Sequence, residues 1–285
     1  MAPLRVAAVT AGLLALVLAC TAGAKPKPKP KPATATLIAV GDIGDCDTDD
    51  DEAVAGLVAG IPGTLAVLGD AAYPDGTDEN FRECYLPAWG RYLPRTRAAL
   101  GNHEYHSDGA APAKLTFRLP ADGWYSYNLG AWHVVVLNSN CDAVDCDEGS
   151  PQWLWLQADL ARNRAKRCTL AYWHHPRYSS GKHGSNSDLA PFWELLAAAK
   201  ADLVLSGHDH TYERFGPRQG VRSFVVGTGG RSHYDIRAVR ETGSQVANND
   251  SFGVLRLTLK RLGWDWRFVP VPGASFRDSG SARCR

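Results

Sequence analysis

An α/β fold, with two sheets packed face to face and helices outside, is predicted by three features of the sequence. Five short apolar runs each stop at a residue able to bind a metal. Stretches with helical signals alternate with those runs. Further strand-like runs towards the C-terminus carry no ligand-type residue and can supply a second sheet.

Taken in order, Thr36–Val40 is a continuous apolar strand that runs into Gly41-Asp42-Ile43-Gly44. Asp49 to Ala59 reads as a helix with acidic residues in its first turn, where the helix dipole favours them. Leu65–Leu68 is the second strand and reaches Gly69-Asp70-Ala71-Ala72-Tyr73. Residues 71–95, with Pro74, Pro87 and Pro94, predict a long irregular excursion of the kind that usually serves function. Arg97–Leu100 reaches Gly101-Asn102-His103-Glu104. Tyr125–Leu129 and His133–Leu137 read as two strands joined at Gly130-Ala131, with His133 turned outward from an apolar strand. Ser150-Pro151 starts a helix, by a favoured cap and a first-turn proline, that runs to about Ala165. Thr169–Trp173 reaches His174-His175-Pro176, and a helix over Asp188–Lys200 leads to Asp202–Ser206 and Gly207-His208-Asp209-His210. Phe224–Val226, Val254–Leu259 and Trp264–Phe268 are strands without ligands. Because ligands in open α/β sheets bind beyond the carboxyl ends of the strands, the five strand ends converge on one site.

The whole chain of 285 residues suits one large domain or two small ones, with enough apolar residues for a sizeable core. Residues 1–32 contribute five of the 31 basic residues and none of the 30 acidic ones, so the remainder is net acidic at about −4. A general nucleic-acid binder would need a basic body, and that class is excluded. Arg5 followed by the apolar stretch Ala11–Ala19 reads as an export signal over residues 1–24, too short to span a bilayer. Two processing sites compete: a lipobox-like Leu16–Cys20, which would lipidate Cys20, and a small-residue site ending at Ala24. Residues 25–34 then form a Lys-Pro spacer, extended and cationic, suited to a tether or to contact with an anionic membrane or wall polymer.

Setting Cys20 aside leaves Cys46, Cys84, Cys141, Cys146, Cys168 and Cys284, an even set that implies disulfides in an oxidising compartment. Fifteen connectivities are open. Cys141 and Cys146 can close their short acidic loop, Cys168 and Cys284 can tie the C-terminus to a core strand, and Cys46 and Cys84 then remain.

The motifs GDIG, GDAAY, GNHE, a His before His-Pro, and GHDH resemble those of calcineurin-like metallophosphoesterases, and within them the purple acid phosphatases, over roughly residues 35–270. Gly44 stands where most of the superfamily has a histidine ligand, and Tyr73 stands where the purple enzymes supply a tyrosinate. GHDHTYER looks like the plant-type enzymes, although their extra N-terminal β-domain has no room here. The resemblance implies a four-layer α/β/β/α sandwich over residues 35–285. It also implies an exported acid phosphatase that hydrolyses small phosphate monoesters with a metal-generated hydroxide. Asp42, Asp70, Tyr73 and His210 would hold Fe(III), while Asn102, His174, His208 and a bridging Asp70 would hold divalent iron, zinc or manganese. Carboxylate and phenolate are hard donors suited to a highly charged ion, and imidazole suits a borderline one. His103 and His183 would contact substrate and protonate the leaving alkoxide, whereas His106, His133, His175 and His233 are non-ligands. Gly227-Thr228-Gly229-Gly230 lacks the lysine of a phosphate loop and reads as a strand-ending turn. The rival readings are a phosphodiesterase or nucleotidase on the same fold, a redox-active di-iron oxidoreductase, and a non-catalytic surface-binding module. Specificity is assigned to loops 74–95, 105–123 and 177–188.

Overall fold

The computed structural model describes residues 1–4 and 34–285. The expected leader, Cys20 and most of the Lys-Pro spacer lie outside the described residues. Strands follow the apolar runs: β1 (Thr34–Val40), β2 (Thr64–Leu68), β3 (Thr96–Ala99), β4 (Tyr125–Leu129), β5 (Trp132–Val136), β6 (Cys168–Tyr172) and β7 (Leu203–Ser206). After them come β8 (Tyr212–Phe215), β9 (Arg222–Val226), β10 (Ser244–Asn248), β11 (Gly253–Lys260), β12 (Gly263–Pro270) and β13 (Ser279–Arg283). The principal helices are α1 (Asp50–Ala59), α2 (Ala111–Phe117), α3 (Pro151–Arg162) and α4 (Ala190–Ala198).

One sheet has the order β13-β12-β11-β1-β2-β3 and the other β10-β8-β9-β7-β6-β5-β4. Their facing sides bury Leu37, Ala39, Ala66 and Leu68 against Val134, Leu170, Tyr172, Leu205 and Phe224. The alternate residues of β1 and β2, Ile38, Val40, Leu65 and Val67, point the other way and pack under Val54 and Val58 of α1. Val135, Ala171 and Val204 likewise pack under Leu156 of α3 and Phe192 and Leu196 of α4. Strands buried on both faces need continuous apolar runs, which is why the ligand strands read as they do. The four-layer α/β/β/α sandwich is as expected.

One feature of the architecture differs. The five ligand strands do not share a sheet: β1, β2 and β3 lie in the first, β6 and β7 in the second. The ligand-free β11 and β12 extend the first sheet, because β11 pairs antiparallel with β1 from Thr34↔Lys260 to Ala39↔Leu255. The other ligand-free run, β9, joins the second sheet beside β7. The converging strand ends therefore meet across the gap between two sheets. Smaller differences are local. α3 stops at Arg162, where Asn163 turns its side chain back onto the Asp159 carbonyl at 2.9 Å. The excursion 71–95 contains helical turns from Asp78 to Arg95 and packs Phe81, Tyr85 and Trp89 against the outer face of the first sheet. All three disulfides, Cys46–Cys84, Cys141–Cys146 and Cys168–Cys284, have the pairing the sequence made available.

Candidate metal centre

The strand ends turn sharply. Asp42, Asp70 and His208 all adopt left-handed backbone conformations, with φ of 63°, 49° and 71°. Each costs on the order of 1–3 kcal/mol for a non-glycine residue, a strain typical of functional sites. Glycine makes room beside them: a Cβ on Gly101 would land on the Asp70 carboxylate, and one on Gly69 would meet His174 Nδ1 at 2.5 Å.

Two clusters result, joined by one oxygen. In the first, Tyr73 Oη lies 3.2 Å from Asp42 Oδ1, 3.2 Å from Asp70 Oδ2 and 3.3 Å from His210 Nε2. In the second, His174 Nε2 lies 3.1 Å from the same Asp70 Oδ2, 3.0 Å from Asn102 Oδ1 and 3.2 Å from His208 Nδ1. The structure thus brings together all seven residues named from the sequence, with Asp70 common to both groups.

Outer contacts fix which atoms face inward. His174 Nδ1 donates to the Leu68 carbonyl at 2.8 Å, so its Nε2 is the atom turned to Asp70, Asn102 and His208. His210 Nδ1 is held by Ser232 Oγ at 2.8 Å, and its ring stacks on Tyr234 at 3.9 Å. Oxygen and nitrogen acceptors crowded without enough donors call for a cation, and this donor set fits two metal ions. The electrostatics agree. Burial pushes the His174 imidazole down, but the Asp70 and Asp42 carboxylates outweigh it and raise it to about 9. Burial also works against the Asp70 carboxylate, yet His174 and His103 hold it well below the carboxylate range. Burial, then Asp70 and Asp42, push the Tyr73 phenol far up.

His103 and His183 reach the same region. His103 Nδ1 contacts the Pro74 carbonyl, leaving Nε2 3.9 Å from Asp70 Oδ2. The His183 ring lies 4.3 Å from that of His208, and burial holds it below its ordinary value. A cavity of about 210 Å³ opens between His175, His183, Asn186 and His208. A second, of about 220 Å³, adjoins Asn102 and is walled by His106, Asn140, Cys141, Asp142 and Asn186.

Several participants were not legible in advance. Glu104 is buried and accepts the amides of Asp70, Ala71 and Gly101 at 3.0, 2.8 and 2.7 Å, bracing two ligand loops at once. Burial and Asp70 raise it to about 7 against the pull of those amides. Its place in GNHE is the signal that points to it. Asp209 is buried and accepts from the His183 amide at 2.8 Å, which seats the histidine loop. His175, set aside from the sequence, stands in the wall with its ring 4.4 Å from that of His208, its Nδ1 bound to Ser139 Oγ at 2.9 Å. His106 pairs with Asp75 at the surface and His233 stacks on Phe252, and neither joins the two clusters. His133 does not face outward: it is buried, and its Nε2 meets Asp159 Oδ2 at 2.6 Å. An apolar strand accepts it because α3 supplies that carboxylate from above. Loop 177–188 lines the cavities as expected, but most of 74–95 serves the core, and the Cys141–Cys146 loop takes its place beside Asn102. Gly227–Gly230 is a strand-ending turn, where a Cβ on Gly229 would collide with the Gly41 carbonyl of the Asp42 loop.

A family model described as calcineurin-like phosphoesterase matches residues 35–212. Purple acid phosphatase 15 of Arabidopsis thaliana is 26% identical over 62% of this chain and 40% of its own length. Purple acid phosphatase 22 of the same plant is 32% identical over 50% of this chain and 36% of its own. The chain therefore spans well under half the length of these relatives. The solved purple acid phosphatase PPD1 of yellow lupin superposes with a TM-score of 0.73 at 17% identity, covering 89% of this chain and 54% of that one. Sequence, fold and donor set coincide, and the chain belongs to the calcineurin-like phosphoesterase family, with its relatives among the purple acid phosphatases.

Proposed function

We propose that this chain is an exported acid phosphatase acting on phosphate monoesters at a dinuclear centre. The observation that carries the reading is the single Asp70 Oδ2 shared between the Tyr73 and His174 clusters. Asp42, Asp70, Tyr73 and His210 would hold Fe(III), and Asn102, His174, His208 and Asp70 a divalent iron, zinc or manganese. When bound, such a pair neutralises phosphate charge and makes water nucleophilic at low pH. The rest falls to the chain. His174 and His210 are oriented through their Nδ1 contacts, and Glu104 keeps the Asp70 and Asn102 loops in register. His103 presents Nε2 to the phosphate side, and His183 can hand a proton to the departing alkoxide. Burial keeps His183 below its ordinary value, so it carries that proton only on the acid side, as an acid phosphatase requires. Three disulfides support export to an oxidising compartment, through a leader ending at Cys20 or Ala24.

Metal analysis combined with turnover of an aryl phosphate monoester and its diester tests this. The expected result is two metals per chain, one of them iron, with the monoester preferred below neutrality. Preference for the diester or for nucleotides would transfer the reading to a phosphodiesterase or nucleotidase. Zinc or manganese in the divalent site would remove a di-iron oxidoreductase, and metal-loaded protein without any turnover would leave a binding module.

A further inference from the structure

The end of the sandwich opposite the metal centre is built differently. β1, β6 and β7 begin there, and β11 ends there. Thr34 pairs with Lys260, and Gly263 pairs with Arg283. The Cys284 amide donates to the Leu262 carbonyl at 3.1 Å, and Cys168, bonded to Cys284, has its sulfur 3.6 Å from the Arg261 carbonyl. Arg167, Arg261 and Arg283 therefore gather around one disulfide. Arg164 and Lys166 border the adjoining cavity with Ala198 and Ala199, next to Lys200. All of these cations are exposed except the half-buried Lys166.

Compensating carboxylates are scarce. Asp265 is taken by Lys260 at 2.7 Å, Asp159 is buried beside His133, and Asp202 is buried with its oxygens on the Thr169 and Arg285 amides. Among the described residues no ion pair forms to Arg164, Lys166, Arg167, Lys200, Arg261 or Arg283. Residues 5–33 contain no acidic side chain that could supply one. A chain whose body is net acidic thus concentrates unpaired positive charge on one face.

Two further observations decide what that face meets. Leu262, at the tip of the turn between β11 and β12, is 56% exposed among these cations. An exposed leucine gains nothing from a soluble polyanion but gains from acyl chains beneath anionic headgroups. The chain also enters the domain on this face, at Thr34, following residues that include four lysines and the apolar stretch Ala11–Ala19.

We propose that this face docks on an anionic phospholipid bilayer, with Leu262 at the acyl boundary and the metal centre turned to the aqueous side. The five residues of β6 put the site about 15 Å further from the surface, at ~3.3 Å per residue.

The test uses the full chain carrying Cys20→Ser, so that no acyl anchor contributes. Sedimentation with phosphatidylglycerol-containing vesicles is compared with pure phosphatidylcholine vesicles and with soluble poly(glycerol phosphate). Retention is expected on the anionic vesicles alone. Joint reversal of Arg164→Glu, Arg167→Glu and Arg261→Glu should weaken it by at least about a hundredfold, since three attractions are lost and three repulsions added. Lysine at the same three positions should keep it. Leu262→Ser should weaken vesicle binding severalfold, and hydrolysis of a soluble aryl phosphate should not change in any variant. Reversal variants that bind like the parent would leave the binding to the upstream lysines and overturn the proposal. Equal binding to the soluble polymer, with Leu262→Ser silent on vesicles, would also overturn it in favour of an anionic polymer.

Discussion

The two sheets contribute different chemistry to the same site. From the first sheet come Asp42, Asp70, Tyr73 and Asn102, all oxygen donors; from the second come His174, His208 and His210, all nitrogen donors. Neither sheet alone offers either of the two proposed ligand sets. Each cluster is completed across the gap, His210 closing onto Tyr73 and His174 onto Asp70. An ion held by either cluster would bridge the two sheets, so metal binding and the seating of one sheet against the other are coupled at this end of the molecule.

The hardest blow to that pairing is Asp70→Asn, which weakens the one donor common to both clusters. Metal content should fall from two to one or fewer per chain, and kcat/KM should drop by about three orders of magnitude, the scale at which charge stabilisation is lost. Two firmly bound metals in this variant would refute the sharing of Asp70. His183→Ala should cost about 10²-fold, the lower end for a general acid. Alkyl phosphates should lose much more than aryl phosphates with good leaving groups, and equal losses would take the proton-donor role from His183.

Tyr73→Phe sharpens the oxygen side. The ring and its packing against His103 remain, so the protein should fold, while the visible charge-transfer band of the iron-loaded form should vanish and ferric retention weaken by at least the roughly 10–100-fold that a lost outer contact costs. A fully loaded wild type without colour would rule out a tyrosinate. Glu104→Gln, which touches neither cluster directly, should lower metal affinity by a similar or smaller factor. Glutamine keeps one acceptor where three amides now converge, and unchanged affinity would reduce Glu104 to a packing role.

The smallest effect lies away from both clusters. Burial works against the Asp159 carboxylate, but its bonds to His133 hold it below the ordinary range. A depressed carboxyl stabilises the fold above the unfolded pKa and loses that contribution as pH falls through the folded value. The wild type should therefore shed this stability only in strong acid. Asp159→Asn should lose about 1–3 kcal/mol near neutrality, the penalty for a buried histidine whose charged partner is gone, with aryl phosphate turnover unchanged. A matching loss of activity would show that the scaffold and site are coupled there.

The site was largely legible because its residues follow strand ends, and an apolar run followed by Gly-Asp or Gly-His is a local pattern. What could not be read was pairing. β1 takes β11 as its neighbour through contacts more than 200 residues apart, and nothing in Thr36–Val40 names that partner. β10 and β13, SQVAN and SGSAR, are sheet-edge strands whose half-exposed small and polar residues leave no apolar alternation to detect. His133 was misjudged for a related reason: its burial depends on Asp159, which arrives on a helix.

The Cys168–Cys284 bond joins β6 of one sheet to the tail beyond β13 of the other, closing a covalent ring through both across a sequence separation of 116. The two sheets are therefore fastened covalently at the end away from the ligand-bearing strand ends. A sandwich clasped at one end parts most readily at the other, like a book held by its spine.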